Sequence, residues 1–234
     1  MTIHLTENLA ADGLARAELG AGQLGALDIA SQLCSRLCHD LLSPVGAMGN
    51  GLELLADEKD PAMRQRCFEL LEQSARISAD KLKFFRLAFG AAGGFDEAIA
   101  TSESRALVEA LVTNNGRIKL NWVVGADALP KPAVKVLLNF SLIAIESLVR
   151  GGTLDIAAER RDNLCEIAVR ASGPRIAFDA TVGRALAGEL IASELSSRTA
   201  PAAMLQQLAA GVGGELQYAL TDDALVLGAV LPVE

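Results

Sequence analysis

Only two histidines occur in the 234 residues, and one of them, His4, has no companion residues that would give it a role. Aromatic residues make up 4% of a chain that is 51% hydrophobic. That balance suits helices rich in Ala and Leu better than the aromatic core of a β-sandwich. Basic residues are in deficit: 21 Lys and Arg stand against 29 Asp and Glu, a net charge of −8. Nucleic-acid binding needs clustered cations for phosphate contacts, so no nucleic-acid partner is expected. No run approaches the ~20 uninterrupted apolar residues of a membrane span. The N-terminus, MTIHLTENLAADGLARAELG, has early acids and no apolar stretch of the kind a signal peptide carries. The expectation is a cytoplasmic protein with no membrane partner. Of the four cysteines, Cys34, Cys38, Cys67 and Cys165, the first two lie four apart, and no CxxC or His pair exists to complete four zinc ligands. On a helix His39 points about 100° away from Cys38, so no metal site is expected and the cysteines read as ordinary buried thiols.

What is present is helical periodicity. Residues 1–22 show little of it and read as a flexible tail. From Gln23 to about Ala56, Leu33, Leu37, Leu41, Val45, Met48, Leu52 and Leu55 recur every three or four residues. DEKDP interrupts the pattern; Asp60 is a good N-cap and Pro61 fits the first helical position. A second helix therefore runs from Pro61 to about Phe89 and stops at Gly90. It carries two apolar stripes. Met63, Cys67, Leu70, Ser74, Ile77 and Phe84 trace one; Phe68, Leu71, Ala75, Leu82, Phe85 and Phe89 trace the other. A two-helix hairpin covers only one side of each helix, so the second stripe implies a further partner. The usual remedy is a second copy, a four-helix bundle across a two-fold axis. A homodimer through this hairpin, residues 23–92, is the expectation.

GAAGGFDE, residues 90–97, reads as a hinge. Beyond it the texture changes. A helix is expected at 102–114, a strand at 117–124, a turn at LPKP and a strongly apolar helix at 132–149. Two alternating runs meet around Asp162 and Asn163 as a β-hairpin. Short helices near 180–190 and 200–210 precede a closing hairpin around Thr221, Asp222 and Asp223. Helices mixed with antiparallel strands make residues 93–234 an α+β domain.

His39 stands out against this background. With the first helix's apolar stripe taken as its buried direction, His39 points roughly 160° away from it. Its surroundings on that face are mostly small or polar: Ser35, Leu42, Ser43 and Gly46 one turn away, with Arg36 and Asn50 on the same side. A partner protein could approach the imidazole there, although a solvated surface histidine would look the same.

The segment HDLLSP carries the His-acid-x-x-x-Pro pattern, and resembles the dimerisation and phosphotransfer helices of sensor histidine kinases. That resemblance makes His39 the phosphorylated residue. Asp40 would hydrogen-bond one ring nitrogen and fix the tautomer, and Pro44 would bend the helix just after the site. The C-terminal half would be an α/β sandwich resembling the kinases' ATP-binding (Bergerat-type) domain. The nucleotide signatures are degraded, however. In NFSLIA, Asn139 is kept but Ile143 stands where the family has its second Asn. In ASGPRIAF, Ala171 replaces the adenine-binding Asp, only Gly173 remains, and Arg175 takes the second Gly. SSRTAPAAMLQQLAA stands in place of the Gly-rich lid.

A phosphotransfer hairpin fused to a degenerate kinase-like domain is similar to the ChpT family of histidine phosphotransferases in alphaproteobacterial cell-cycle phosphorelays. The likeness runs over about residues 28–234 and is strongest in LCHDLLSP, GLELL and RLAFGA. It implies reversible relay of a phosphoryl group between receiver-domain aspartates through His39, without ATP-dependent kinase activity of its own. The partners implied are the receiver domain of a hybrid histidine kinase and CtrA- and CpdR-like response regulators. No cofactor belongs to the chain itself; the receiver would bring Mg2+. By helical geometry Arg36, Leu42, Ser43, Gly46 and Asn50 are candidates for docking, and Lys81, Lys83 and Arg86 could attract acidic receiver surfaces. An atypical histidine kinase and a non-catalytic receiver-binding scaffold remain alternatives.

Overall fold

The first helix, α1 (Ala26–Asp57), and the second, α2 (Pro61–Ala88), form an antiparallel hairpin. Their turn is built from local polar contacts. The Asp60 carboxylate accepts from the Ala62 amide at 3.1 Å with Pro61 opening the helix, as its N-cap chemistry predicts. The Arg64 guanidinium donates back to the Leu55 and Glu58 carbonyls at 3.1 and 2.9 Å, satisfying the end of α1. The chain is a computed structural model that describes residues 24–90 and 98–233. The expected tail and all of the expected hinge except Gly90 lie outside the described residues.

The rest of the chain is α+β. A short strand β1 (Ala98–Ala100) leads into α3 (Thr101–Asn115), β2 (Ile118–Val124), β3 (Ala128–Pro130) and α4 (Lys131–Ser147). Then follow β4 (Gly152–Arg161), β5 (Leu164–Ser172), α5 (Ala180–Leu186), a 3-10 turn (Ala192–Glu194), α6 (Ala200–Gly211), β6 (Glu215–Leu220) and β7 (Ala224–Pro232). The main sheet has the order β2-β4-β5-β7-β6. Only β2 and β4 run parallel, joined by the crossover through α4; the other neighbours are antiparallel. Alternation in β4, β5 and β7 sends Leu154, Ile156, Val169, Ala171, Leu225 and Leu227 inward beneath α4. The three-residue pairing of β1 with β3 escapes the sequence reading because LPKP looks like a plain turn; Leu129 is fully buried there.

The hairpin does not stand apart from this layer. Phe84, Phe85, Leu87 and Ala88 at the end of α2, with Ile29 of α1, belong to the same apolar cluster as α4 and the sheet. Phe85 meets Phe84 edge-on at 5.9 Å between ring centroids and stacks on Phe89 at 5.2 Å. Asn139 of α4 donates to the Ala88 carbonyl at 3.1 Å, and Gln207 of α6 to the Leu24 carbonyl at 2.9 Å. Phe84 has no exposed surface. Phe84→Ala is therefore expected to cost about 3–5 kcal/mol, read by chemical denaturation. A loss under about 1 kcal/mol would mean that this end of the hairpin contributes little to the core.

Two expectations need correction. The apolar stripe of α1 is only partly its buried direction: Leu33, Leu37, Leu41, Met48 and Leu55 are half-buried, the fully buried positions are Ile29, Arg36, Pro44 and Gly51, and Val45 and Leu52 are exposed. Gly51 lets α2 approach closely: a side chain there would press on Leu71 at 3.1 Å. The cysteines also divide. Cys67 and Cys165 are buried, but Cys34 and Cys38 are exposed, because they sit on the α1 face that α2 leaves open.

Candidate functional site

His39 is held on α1, one turn before Pro44, in a helix that continues through the proline as a single element from Ala26 to Asp57. Its side chain is 83% exposed. Nδ1 lies 3.1 Å from Oδ1 of Asp40, the next residue. An ionised carboxylate can only accept, so this contact places the ring proton on Nδ1 and leaves Nε2 with its lone pair toward solvent. Asp40 is itself anchored: Arg36, one turn earlier, donates Nε–H to Oδ2 at 3.1 Å.

The arrangement then leaves the hairpin. The same guanidinium donates to the Glu146 carboxylate of α4 and, at 3.5 Å, to the Ser197 carbonyl before α6. Arg36 is 7% exposed. That corrects its place on the open docking face: its donors are spent on Asp40, Glu146 and Ser197, and burial puts it out of a partner's reach. The contact is charge-assisted on both sides, the condition under which a buried arginine is tolerated.

Lys81 is likewise turned inward. Pro44 has no amide hydrogen, so the Asp40 carbonyl lacks the donor a helix would normally supply four residues on. Lys81 of α2 fills the vacancy, with Nζ donating to that carbonyl at 2.9 Å. This is how the helix meets the proline, and it takes Lys81 from the set of free cations facing a partner. Lys81→Met is expected to cost about 1–2 kcal/mol in the native sequence, and under about 0.5 kcal/mol beside Pro44→Ala, which restores the amide. Equal costs in both backgrounds, by denaturation, would break the assignment.

The other expected residues lie where the helical projection placed them. Leu42, Ser43, Gly46 and Asn50 are exposed around the imidazole, Leu42 by 72%. A side chain added at Gly46 would touch nothing within 4 Å, so the ground beside His39 is open. Lys83 and Arg86 are exposed on α2. Among the described residues no three His, Cys, Asp or Glu side chains converge as metal ligands, and no helix is long and apolar enough to cross a membrane.

The degraded nucleotide segments have structural occupations. Asn139 is fully buried and donates to the Ala88 and Lys135 carbonyls. Ile143 and Ala171 are buried in the core, and Arg175 is exposed. Gly173 is required for packing, since a Cβ there would lie 2.6 Å from the Gly151 carbonyl. Between α1, α4, α5 and α6, Arg36, Ile143, Glu146, Phe178, Asp179 and Arg198 line a cavity of about 20 Å3, room for a water molecule or so. Arg198 faces Asp179 across 3.8 Å, and Asp179 is held below the usual carboxylate range by hydrogen bonds from Thr181.

Residues 101–224 match the family model for the histidine phosphotransferase C-terminal domain. The chain belongs to this family. The protein phosphotransferase ChpT of Brucella abortus (strain 2308) is 40% identical to it over 139 residues, 59% of this chain, and the chain spans 65% of that relative's length. A solved bacterial phosphotransferase superposes with a TM-score of 0.78 at 30% identity, covering 89% of this chain and 98% of its own. That coverage includes the hairpin as well as the C-terminal domain of this histidine phosphotransferase family member. A histidine kinase domain from Erythrobacter litoralis matches with a TM-score of 0.45 at 14% identity, over 89% of this chain and 94% of its own.

Glu146 is the residue that the sequence reading missed. A signal was available: it is the one acid in α4, inside the run VLLNFSLIAIES. Nothing local, however, says which cation it meets.

Proposed function

We propose that this chain relays a phosphoryl group between receiver-domain aspartates through a phosphohistidine at His39, within a two-component phosphorelay that controls the cell cycle. One observation carries the reading: an imidazole exposed on a rigid helix, with Nδ1–H engaged by Asp40 and Nε2 open. In the forward step the Nε2 lone pair attacks the phosphorus of a receiver's aspartyl phosphate. The N–P bond forms as the P–O bond breaks, and the electron pair leaves on the receiver's carboxylate. The imidazole becomes cationic, and the Asp40 carboxylate stabilises that charge through Nδ1–H. The return step transfers the group to the aspartate of a second receiver. Such transfer depends on alignment and charge neutralisation rather than on further covalent chemistry. The Mg2+ that neutralises the phosphoryl oxygens belongs to the visiting receiver, so this chain need only present the ring.

The partners in this reading are the receiver of a hybrid histidine kinase and CtrA- and CpdR-like response regulators. They dock over Leu42, Ser43, Gly46 and Asn50, with Lys83 and Arg86 drawing acidic surfaces by their charge. The active form is a homodimer through the open hairpin face. The small cavity beside Ile143, with Arg36 and Glu146 paired along its wall, supports a relay without its own nucleotide. The test is to mix the purified chain with a receiver carrying labelled phosphate. The expected product is an acid-labile, base-stable label on this chain, appearing without ATP. A chain that binds the receiver and never takes label would be a scaffold. A label that appears only with ATP would make it a kinase.

A further inference from the structure

We propose that Glu146, on the C-terminal domain, is a positioning residue for His39, and that it works by keeping one Asp40 oxygen free for the imidazole. The geometry of a single guanidinium carries this. Arginine pairs most strongly with a carboxylate side-on, through Nε and Nη2 to both oxygens. In Arg36 only Nε serves Asp40, at Oδ2; Nη2 is taken by Glu146, and Nη1 points to the Ser197 carbonyl. Oδ1 is thereby left for His39 Nδ1. Without Glu146, Nη2 turns to close the side-on pair and the Asp40 carboxylate rotates into the guanidinium plane, which swings Oδ1, despite its second lone pair, out of line with Nδ1. The ring then has no reason to keep its proton on Nδ1, and Nε2 is no longer reserved as the nucleophile.

The groups facing this chain of contacts are few: Arg36 and Asp40 on α1, Lys81 on α2, Glu146 on α4, and, along the adjoining cavity, Asp179 and Arg198. Lys81 engages the Asp40 backbone and leaves the carboxylate to Arg36 and His39. The degenerate domain thus becomes part of the phosphoacceptor site, because α4 must be docked against α1 for the imidazole to hold the right tautomer.

This inference rests on the relay reading of His39 for its functional meaning, and its test separates the two. The full chain is labelled with 15N at histidine, and His39→Ala identifies the His39 signals against those of His4. In the native protein the His39 proton is expected mainly on Nδ1. Glu146→Ala should move it substantially to Nε2 and slow the transfer rate constant roughly tenfold, with receiver affinity unchanged. Glu146→Asp should recover most of both, and Glu146→Gln, which still accepts a hydrogen bond, should fall between. A folded Glu146→Ala protein with the native tautomer ratio overturns the inference, whatever its transfer rate; if that variant does not fold, Glu146→Gln decides on the same criterion. Failure of native His39 to take phosphate overturns the relay instead, and leaves the tautomer comparison to judge Glu146.

Discussion

His39→Ala is expected to abolish phosphoryl acceptance, by at least about 10³-fold, while fold and assembly stay intact. In the proposed relay, removing the imidazole removes the atom that forms the N–P bond. The cost in stability should lie within about ±0.5 kcal/mol, since the ring is 83% exposed and, among the described residues, bonds only to Asp40. The measurements are label transfer from a phosphorylated receiver and melting of the same sample. Label persisting on the variant would remove His39 from the mechanism; an unfolded variant would make the residue structural. Asp40→Asn is a more complex substitution. It should slow transfer, but it also strips Arg36 of a charged partner, so its effect combines a lost acceptor with a disturbed guanidinium.

The second large effect concerns assembly. Cys38, Val45 and Leu52 on α1 recur every seven residues and are exposed, as are Phe68, Ala75 and Leu82 on α2. Seven-residue spacing on two adjacent helices describes the inner face of a helical bundle. The chain's own layer does not cover it, because α4 and α6 engage the other end of the hairpin and the opposite flank of α1. A second copy offers the same stripe in return, as two-fold pairing demands. In such a dimer each substitution is met twice. Leu52→Glu should remove about 3–6 kcal/mol from association, two to four decades in Kd. Sedimentation across a concentration series reads this directly: a dimeric native protein and a folded, monomeric variant are the expected results. A native protein that is monomeric throughout, or a variant that still pairs, would defeat the homodimer.

Much of the fold follows from short-range signals. The N-cap at Asp60, the proline at Pro61 and the alternation in β4 and β5 each depend on neighbours within about a turn or a strand pair. Pattern alone thus places nearly every element. The β1–β3 pair was missed because three-residue strands carry no periodicity to read. The stripe on α1 misled for another reason: periodicity says that a face is apolar without saying which partner covers it. Here the intramolecular seam took Pro44 and Gly51, Leu33 and Leu37 were half-covered, and Val45 and Leu52 stayed open.

By itself the sequence determined that a lone, accessible histidine with an adjacent acid sits on a helix before a proline, since i to i+4 geometry follows from helical pitch. Only the tertiary structure decided what holds that acid. Arg36 and Glu146 are 110 positions apart, and Lys81 stands 41 positions from the carbonyl it meets. Charges so distant in the chain carry no mutual signature in one sequence. They meet because burying Phe84, Phe85 and Ile29 brings α4 against the hairpin, and a guanidinium caught in that seam must find its anions there.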